Sequence, residues 1–142
     1  MLAGLRRRLA EPALAGQLRS LAGDAPAAAV LSLSVDLGPG NADWLAAVPA
    51  GAPFWYQAQP AHGRWRLGLG HALQVTSAGV HRFAALDNAF AGIAGAWRYN
   101  APPLAFCGFA FAEHADAPLP NALLSIPAIV LETAGGRCRA IL

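Results

Sequence analysis

Leu2, Leu5, Leu9, Leu14, Leu18 and Leu21 recur at steps of three, four and five residues. That spacing predicts an amphipathic helical lead over residues 1–24, bent at Pro12, where the ring removes a donor and crowds the preceding turn. Gly23 and Asp24 end it. The pattern then changes period. Val30, Leu31, Leu33 and Val35, interleaved with Ser32 and Ser34, predict a strand with an apolar and a hydroxylic face. Residues 38–44 form a turn that opens a short helical stretch, with Asn41 or Asp43 as its cap.

Pro53 to Gln59 reads as an aromatic strand, residues 59–63 as a turn, and Arg64 to Thr76 as the returning strand. Trp65, Leu67, Leu69 and Leu73 mark the core side of the return. Gly68 and Gly70 lie on the other side, where glycine in a strand signals a bulge or a close neighbour. Val80, Phe83, Leu86, Phe90, Ile93 and Trp97 then form one helical stripe. Ser77 or Gly79 stands near its start, and Pro102 and Pro103 stop it.

The last third reads as sheet. Phe106, Gly108 and Ala110 alternate with Cys107, Phe109 and Phe111, so both faces are apolar and a strand covered on both sides is expected. Residues 123–132 form another strand, with Pro127 at an edge or bulge. Residues 134–136 turn, and residues 137–142 begin one more strand. An apolar run directly after a tight turn predicts a fold that continues past Leu142. The class expected is α+β, an antiparallel sheet with packed helices in a single domain over residues 1–142.

Composition sharpens this picture at three points. Hydrophobic residues make up 56% of the 142 and charged residues 13%, against about 45–50% and about 25% in ordinary soluble domains. Disorder is excluded as a general description, and the apolar excess predicts a partner surface. No uninterrupted apolar run reaches the length of a membrane span. The net charge of +2 comes with ten Arg and no Lys. Only Arg6–Arg8 cluster, too little for a nucleic-acid surface. The missing Lys removes every side-chain amine nucleophile and base. Cys107 and Cys138 fit no metal or redox spacing and read as free thiols of a reducing compartment. Glu11 and Pro12 interrupt any secretory leader, so a cytoplasmic protein is expected.

Each candidate for chemistry meets a structural alternative. Gly68-Leu69-Gly70 lacks the third glycine and helix of a dinucleotide loop and the Lys of a phosphate loop, so it reads as strand. Phe54, Trp55, Tyr56, Arg64, Trp65 and Arg66 could stack bases, but without a wider basic field they read as a hairpin packing a core, Trp65 included. His62, His71, His81 and His114 have no metal-ligand spacing. Ser32, Ser34, Ser77 and Ser125 lack a nucleophile elbow. Glu113, Asp116 and Glu132 could supply an acid–base pair, but border loops and read as solvated. Cys107, on a strand apolar on both faces, reads as a buried small hydrophobe. No catalytic, cofactor-binding or metal-binding residue is assigned.

The order of four segments adds a resemblance. PFWYQAQPAHGRWRLGLGHAL at 53–73, HRFAAL at 81–86, PPLAFCGFAF at 102–111 and LPNALLSIPAIVLE at 119–132 resemble, in register, the N-terminal region of isochorismate synthases. The likeness spans residues 28–142. Anthranilate synthase component I and aminodeoxychorismate synthase share the layout more loosely. LSLS at 31–34 lacks the Glu of their tryptophan-linked segment, which favours the isochorismate branch. Cys107 stands where the family pattern has Gly and would be strained if the backbone needs a glycine conformation.

The resemblance implies the N-terminal part of the chorismate-binding-enzyme sandwich. It also implies magnesium-dependent conversion of chorismate to isochorismate, by acid–base work from a Lys and a Glu, for menaquinone or siderophore biosynthesis. Those groups belong to a C-terminal chorismate-binding domain whose motifs have no match here. Two expectations follow. The chain is an N-terminal fragment or truncated form of such an enzyme, inactive alone and partnered by the missing domain or by self-association. Alternatively, it is a non-catalytic module that docks through apolar strand faces.

Overall fold

In the computed structural model, which describes residues 2–27, 29–40, 44–111 and 120–142, Pro12 divides the expected N-terminal helix in two. α1 runs Leu2–Leu9 and α2 runs Pro12–Ala22. Pro12 takes the first turn of α2, where a missing N–H has no helical partner to lose, so the chain breaks there and restarts. The strand expected after it is split into β1, Leu31–Ser32, and β2, Ser34–Pro39. Asn41 and Asp43 lie outside the described residues. A 3-10 turn, Leu45–Ala47, follows Trp44.

The aromatic hairpin forms as expected: β3, Phe54–Gln59, a 3-10 turn at Pro60–His62, and β4, Arg64–Leu69. The return does not run straight to Thr76. It breaks after Leu69 and resumes as β5, Leu73–Ser77, in a second sheet. α3 spans Arg82–Ala96. It starts after Gly79 and stops before Pro102 and Pro103, at Trp97. β6, Arg98–Tyr99, and β7, Phe106–Phe109, come next. β8, Ala122–Ile126, and β9, Ile129–Ala134, flank Pro127, and β10, Arg137–Ile141, closes the order. Gly135 and Gly136 both have positive φ, 56° and 72°, the backbone that a two-residue turn between β9 and β10 needs.

The class is α+β. One antiparallel sheet has the order β2-β10-β9-β4-β3 and a second has β5-β8-β7. β1 pairs with β6 in parallel, which departs from a wholly antiparallel expectation. Leu33 exchanges both backbone bonds with Leu142, each 3.0 Å, while Arg98 N–H donates to Val30 C=O at 3.0 Å. The 30–39 segment therefore lies between β6 and β10.

The two larger sheets share a corner. β4 pairs with β9 and β5 pairs with β8, so a two-stranded ribbon bends at residues 70–72 and 127–128. Ala72 N–H donates to Ile126 C=O at 2.8 Å and Ala128 N–H to Leu69 C=O at 3.1 Å, which carries the backbone pairing round the bend. Pro127 is buried there, between strands rather than inside one.

The main core lies on one face of the five-stranded sheet. Leu67, Leu131, Cys138 and Ala140 meet Leu5 of α1 and Trp44. A second cluster sets Leu86 of α3 on Ala122 and Leu124, with Val75, Phe90 and Ile93 around it. The stripe of α3 is thus right at its centre, but Val80 and Phe83 at its start are 61% and 50% exposed. Two other expectations change. Trp65 is half-buried at the edge of the main core rather than sealed in it. β7 is an edge strand covered on one side: Phe106 and Gly108 face Trp55, while Cys107, Phe109 and Phe111 are exposed.

Candidate functional site

Alternation places charge on the second face of the five-stranded sheet. Asp36, Arg139, Glu132, Arg66 and Gln57 are successive cross-strand partners on β2, β10, β9, β4 and β3. Every strand contributes one residue to the row. Arg66 Nε–H donates to Glu132 Oε2 at 3.0 Å, and Arg139 donates an Nη2–H to Oε1 at 3.2 Å. A second N–H of Arg66 reaches Gln57 Oε1 at 3.4 Å. At the outer end Arg137 donates to Asp36 Oδ2. The Gly38 N–H, at 2.9 Å from Oδ1, and then Arg137 hold the Asp36 carboxyl below its ordinary pKa of 3.8.

Glu132 overturns its sequence reading. It is 3% exposed in the middle of β9 rather than solvated beside a loop. A carboxylate this buried is tolerated because both of its oxygens meet guanidinium groups. A cleft of about 390 Å³ opens over the row, lined by Ser34, Asp36, Arg64, Glu132, Ala134, Arg137, Cys138 and Arg139. Further along the same face the sheet is covered instead. Trp55 stacks on Phe106 with centroids 5.6 Å apart, and a Cβ at Gly68 would lie 2.6 Å from Pro127 Cγ and 3.0 Å from Phe106 Cε2. Gly68 is required by that close approach; neither Gly68 nor Gly70 opens a phosphate loop.

The structure disperses most other candidates. Arg66 serves Glu132, and the register sets Phe54, Tyr56 and Trp65 on the opposite face from Arg64 and Arg66, with Phe54 and Tyr56 49% and 41% exposed on the edge strand β3, so the aromatics and arginines of the hairpin do not interleave on one face. His62 and His81 are exposed; His114, Glu113 and Asp116 lie outside the described residues. Ser32 is buried and accepts the Trp97 indole N–H at 2.8 Å. Trp44 donates its indole N–H to Thr133 Oγ1 at 2.7 Å. One pairing escaped sequence reasoning: His71 Nδ1 and Ser125 Oγ lie 2.8 Å apart. Ser125 is fully buried and cannot meet a substrate, so the pair ties the corner rather than forming a nucleophile.

A second concavity lies between α3 and β7. It is an apolar groove of about 300 Å³, with Phe83, Phe90, Ala105, Cys107, Phe109 and Leu124 among its walls. Phe83 and Phe109 meet edge to face at 5.0 Å, and the Arg82 guanidinium lies 4.4 Å from the Phe83 ring centre. Cys107 is exposed here rather than buried. The apolar walls desolvate its thiol and raise its pKa above the ordinary 9.0. No non-glycine residue among those described has positive φ, so Cys107 carries no strain of the kind a glycine position would impose.

Among the described residues no group of three or more His, Cys, Asp or Glu could hold a metal ion, and no helix is long and apolar enough to cross a membrane. Among the described residues the one deeply buried carboxylate, Glu132, is taken by two arginines, so these side chains do not fit a magnesium ion. No family model, curated protein or solved structure matches the chain.

Proposed function

We propose that this chain is the N-terminal part of an isochorismate synthase-like enzyme of the cytoplasm. In this reading it is the scaffold half of the chorismate-binding-enzyme sandwich. The magnesium-dependent conversion of chorismate to isochorismate, for menaquinone or siderophore synthesis, is carried by a partner domain. The observation that carries the reading is convergence at the corner. Three of the four segments that resemble the family meet there: Trp55 and Gly68 of the hairpin, Phe106 and Gly108 of β7, and Pro127 between β8 and β9. The fourth, at the start of α3, packs on β5 and β8. The segments that carry the resemblance thus pack against one another, which is what a scaffold requires.

The test is the intact mass of the polypeptide that carries residues 1–142 in its native cells, isolated with antibodies to this region. The expected species is well above the mass of 142 residues and forms isochorismate from chorismate when magnesium is supplied. A species of 142 residues without that activity overturns the reading. It would favour a non-catalytic interaction module, for which the specific support is the exposed aromatic edge of Phe83, Phe109 and Phe111, at 50%, 51% and 108% exposure.

A further inference from the structure

Two neighbouring rows cross the open half of the five-stranded sheet. In the first, Arg66, Glu132 and Arg139 stand side by side on β4, β9 and β10, and the carboxylate bridges both guanidinium groups. Two residues along each strand, on the same face, the positions are Arg64, Ala134 and Arg137. Ala134 pairs with Arg137, and the β4–β9 register, continued one step from Trp65 and Thr133, sets Arg64 opposite Ala134. The second row repeats both arginines of the first and puts a methyl group where the first has its carboxylate.

With strands about 4.8 Å apart, the backbones of Arg64 and Arg137 are about 10 Å apart across Ala134. Both side chains line the same cleft of about 390 Å³, with Arg139 and Ser34 beside them. That volume lies within the range of small-molecule sites. Arg64 has no carboxylate partner among the described residues, and Arg137 gives a single ion pair, to Asp36. Each guanidinium carries five donors in a planar fork. Three arginines against two carboxylates in its lining leave the cleft positive.

We propose that this cleft binds a small organic carboxylate above Ala134, bridged by Arg64 and Arg137 as Glu132 is bridged by Arg66 and Arg139. The row beside it serves as the template: a planar carboxylate satisfies two flanking forks at this strand spacing. The site is independent of the chorismate reading and stands on geometry that the chain itself supplies.

The test is an NMR titration of the ¹⁵N-labelled 142-residue chain at low ionic strength, with malonate and separately with inorganic phosphate. Backbone amides of residues 134–137 and the arginine Nε–H signals report the site. Malonate is expected to give saturable shifts confined to the cleft and to bind more tightly than phosphate. Arg64→Gln, at an exposed position, weakens malonate by about tenfold, the loss of a charge-assisted contact. Ala134→Glu supplies the missing carboxylate from the chain, so it removes the saturable response and raises the thermal midpoint. Arg6→Gln, in α1, leaves malonate binding unchanged. A linear, unsaturable response overturns the site, as does wild-type affinity in Arg64→Gln or retained binding in Ala134→Glu. Phosphate binding as tightly as malonate overturns the assignment to carboxylates.

Discussion

Leu131 and Glu132 are consecutive residues of β9, and both are buried, at 0% and 3% exposure. Alternation sends them to opposite faces of one sheet. Leu131 enters an apolar cluster with Leu67, Ala140 and Trp44, where burial is favourable without partners. Glu132 is shielded by the two arginines that neutralise it, and those arginines still reach water, their side chains 22% and 41% exposed. Equal burial thus has unequal energetic meaning. One face is held by area and shape, and the other by a charge triad, Arg66, Glu132 and Arg139, that is left unbalanced when Glu132 is removed alone.

The comparison can be broken from either side. Leu131→Ala should cost about 2–5 kcal/mol in denaturant unfolding, the range for emptying a filled core position; a loss under about 0.5 kcal/mol would mean that the main core is not where stability resides. Glu132→Ala comes next, at about 2–3 kcal/mol. Removing one member of a buried ion pair costs about 3–5 kcal/mol, and the solvent access of Arg66 and Arg139 lowers that. If this variant matches wild type, the row is ornamental to folding.

Replacing the whole triad, Arg66→Met with Glu132→Leu and Arg139→Met, should keep stability within about 1 kcal/mol of wild type, because no uncompensated charge remains. A triple variant as unstable as Glu132→Ala would show that the ion pairs contribute net stability. Smallest of all is Asp36→Asn, at the solvated end of the row, which should lower the unfolding midpoint at neutral pH only slightly, as expected for an exposed pair. Its carboxyl has a folded pKa below the ordinary 3.8. Its contribution is therefore present above that pH and is lost as pH falls through the lowered folded value. The acid limb of a stability–pH profile should flatten in Asp36→Asn, and an unaltered limb would place acid sensitivity elsewhere.

The apolar face was the more legible one. Two-residue spacing located β4, aromatic residues located β3, the glycine turn located β10, and the 3–4 spacing located the middle of α3, because each signal is written by neighbours in sequence. The charged face was not legible. Glu132 sits at the end of an apolar run, ahead of Thr133 and a glycine turn, and reads locally as the place where a strand meets solvent. Its burial depends on Arg66, 66 residues away, and no local pattern encodes that register. The same holds for His71 and Ser125, 54 residues apart. β7 misled for a different reason. Apolar residues on both sides of a strand predict two covers, whereas only the Phe106 side has one, and Phe109 and Phe111 stay open.

The place of β10 has a consequence for how the molecule is made. β2 joins the five-stranded sheet only through β10, which lies between it and β9. Asp36 and Arg137, which meet across that junction, are 101 residues apart. During synthesis from the N-terminus, β3, β4 and β9 can assemble while β2 waits without its strand partner, and β10 then closes both sides at once. A strand that pairs with one about a hundred residues earlier raises the contact order and makes that pairing slow. Until that step, the β2 edge and the apolar side of β9 are open to other chains, so chaperone dependence and aggregation should be concentrated in the time it takes residues 137–141 to emerge.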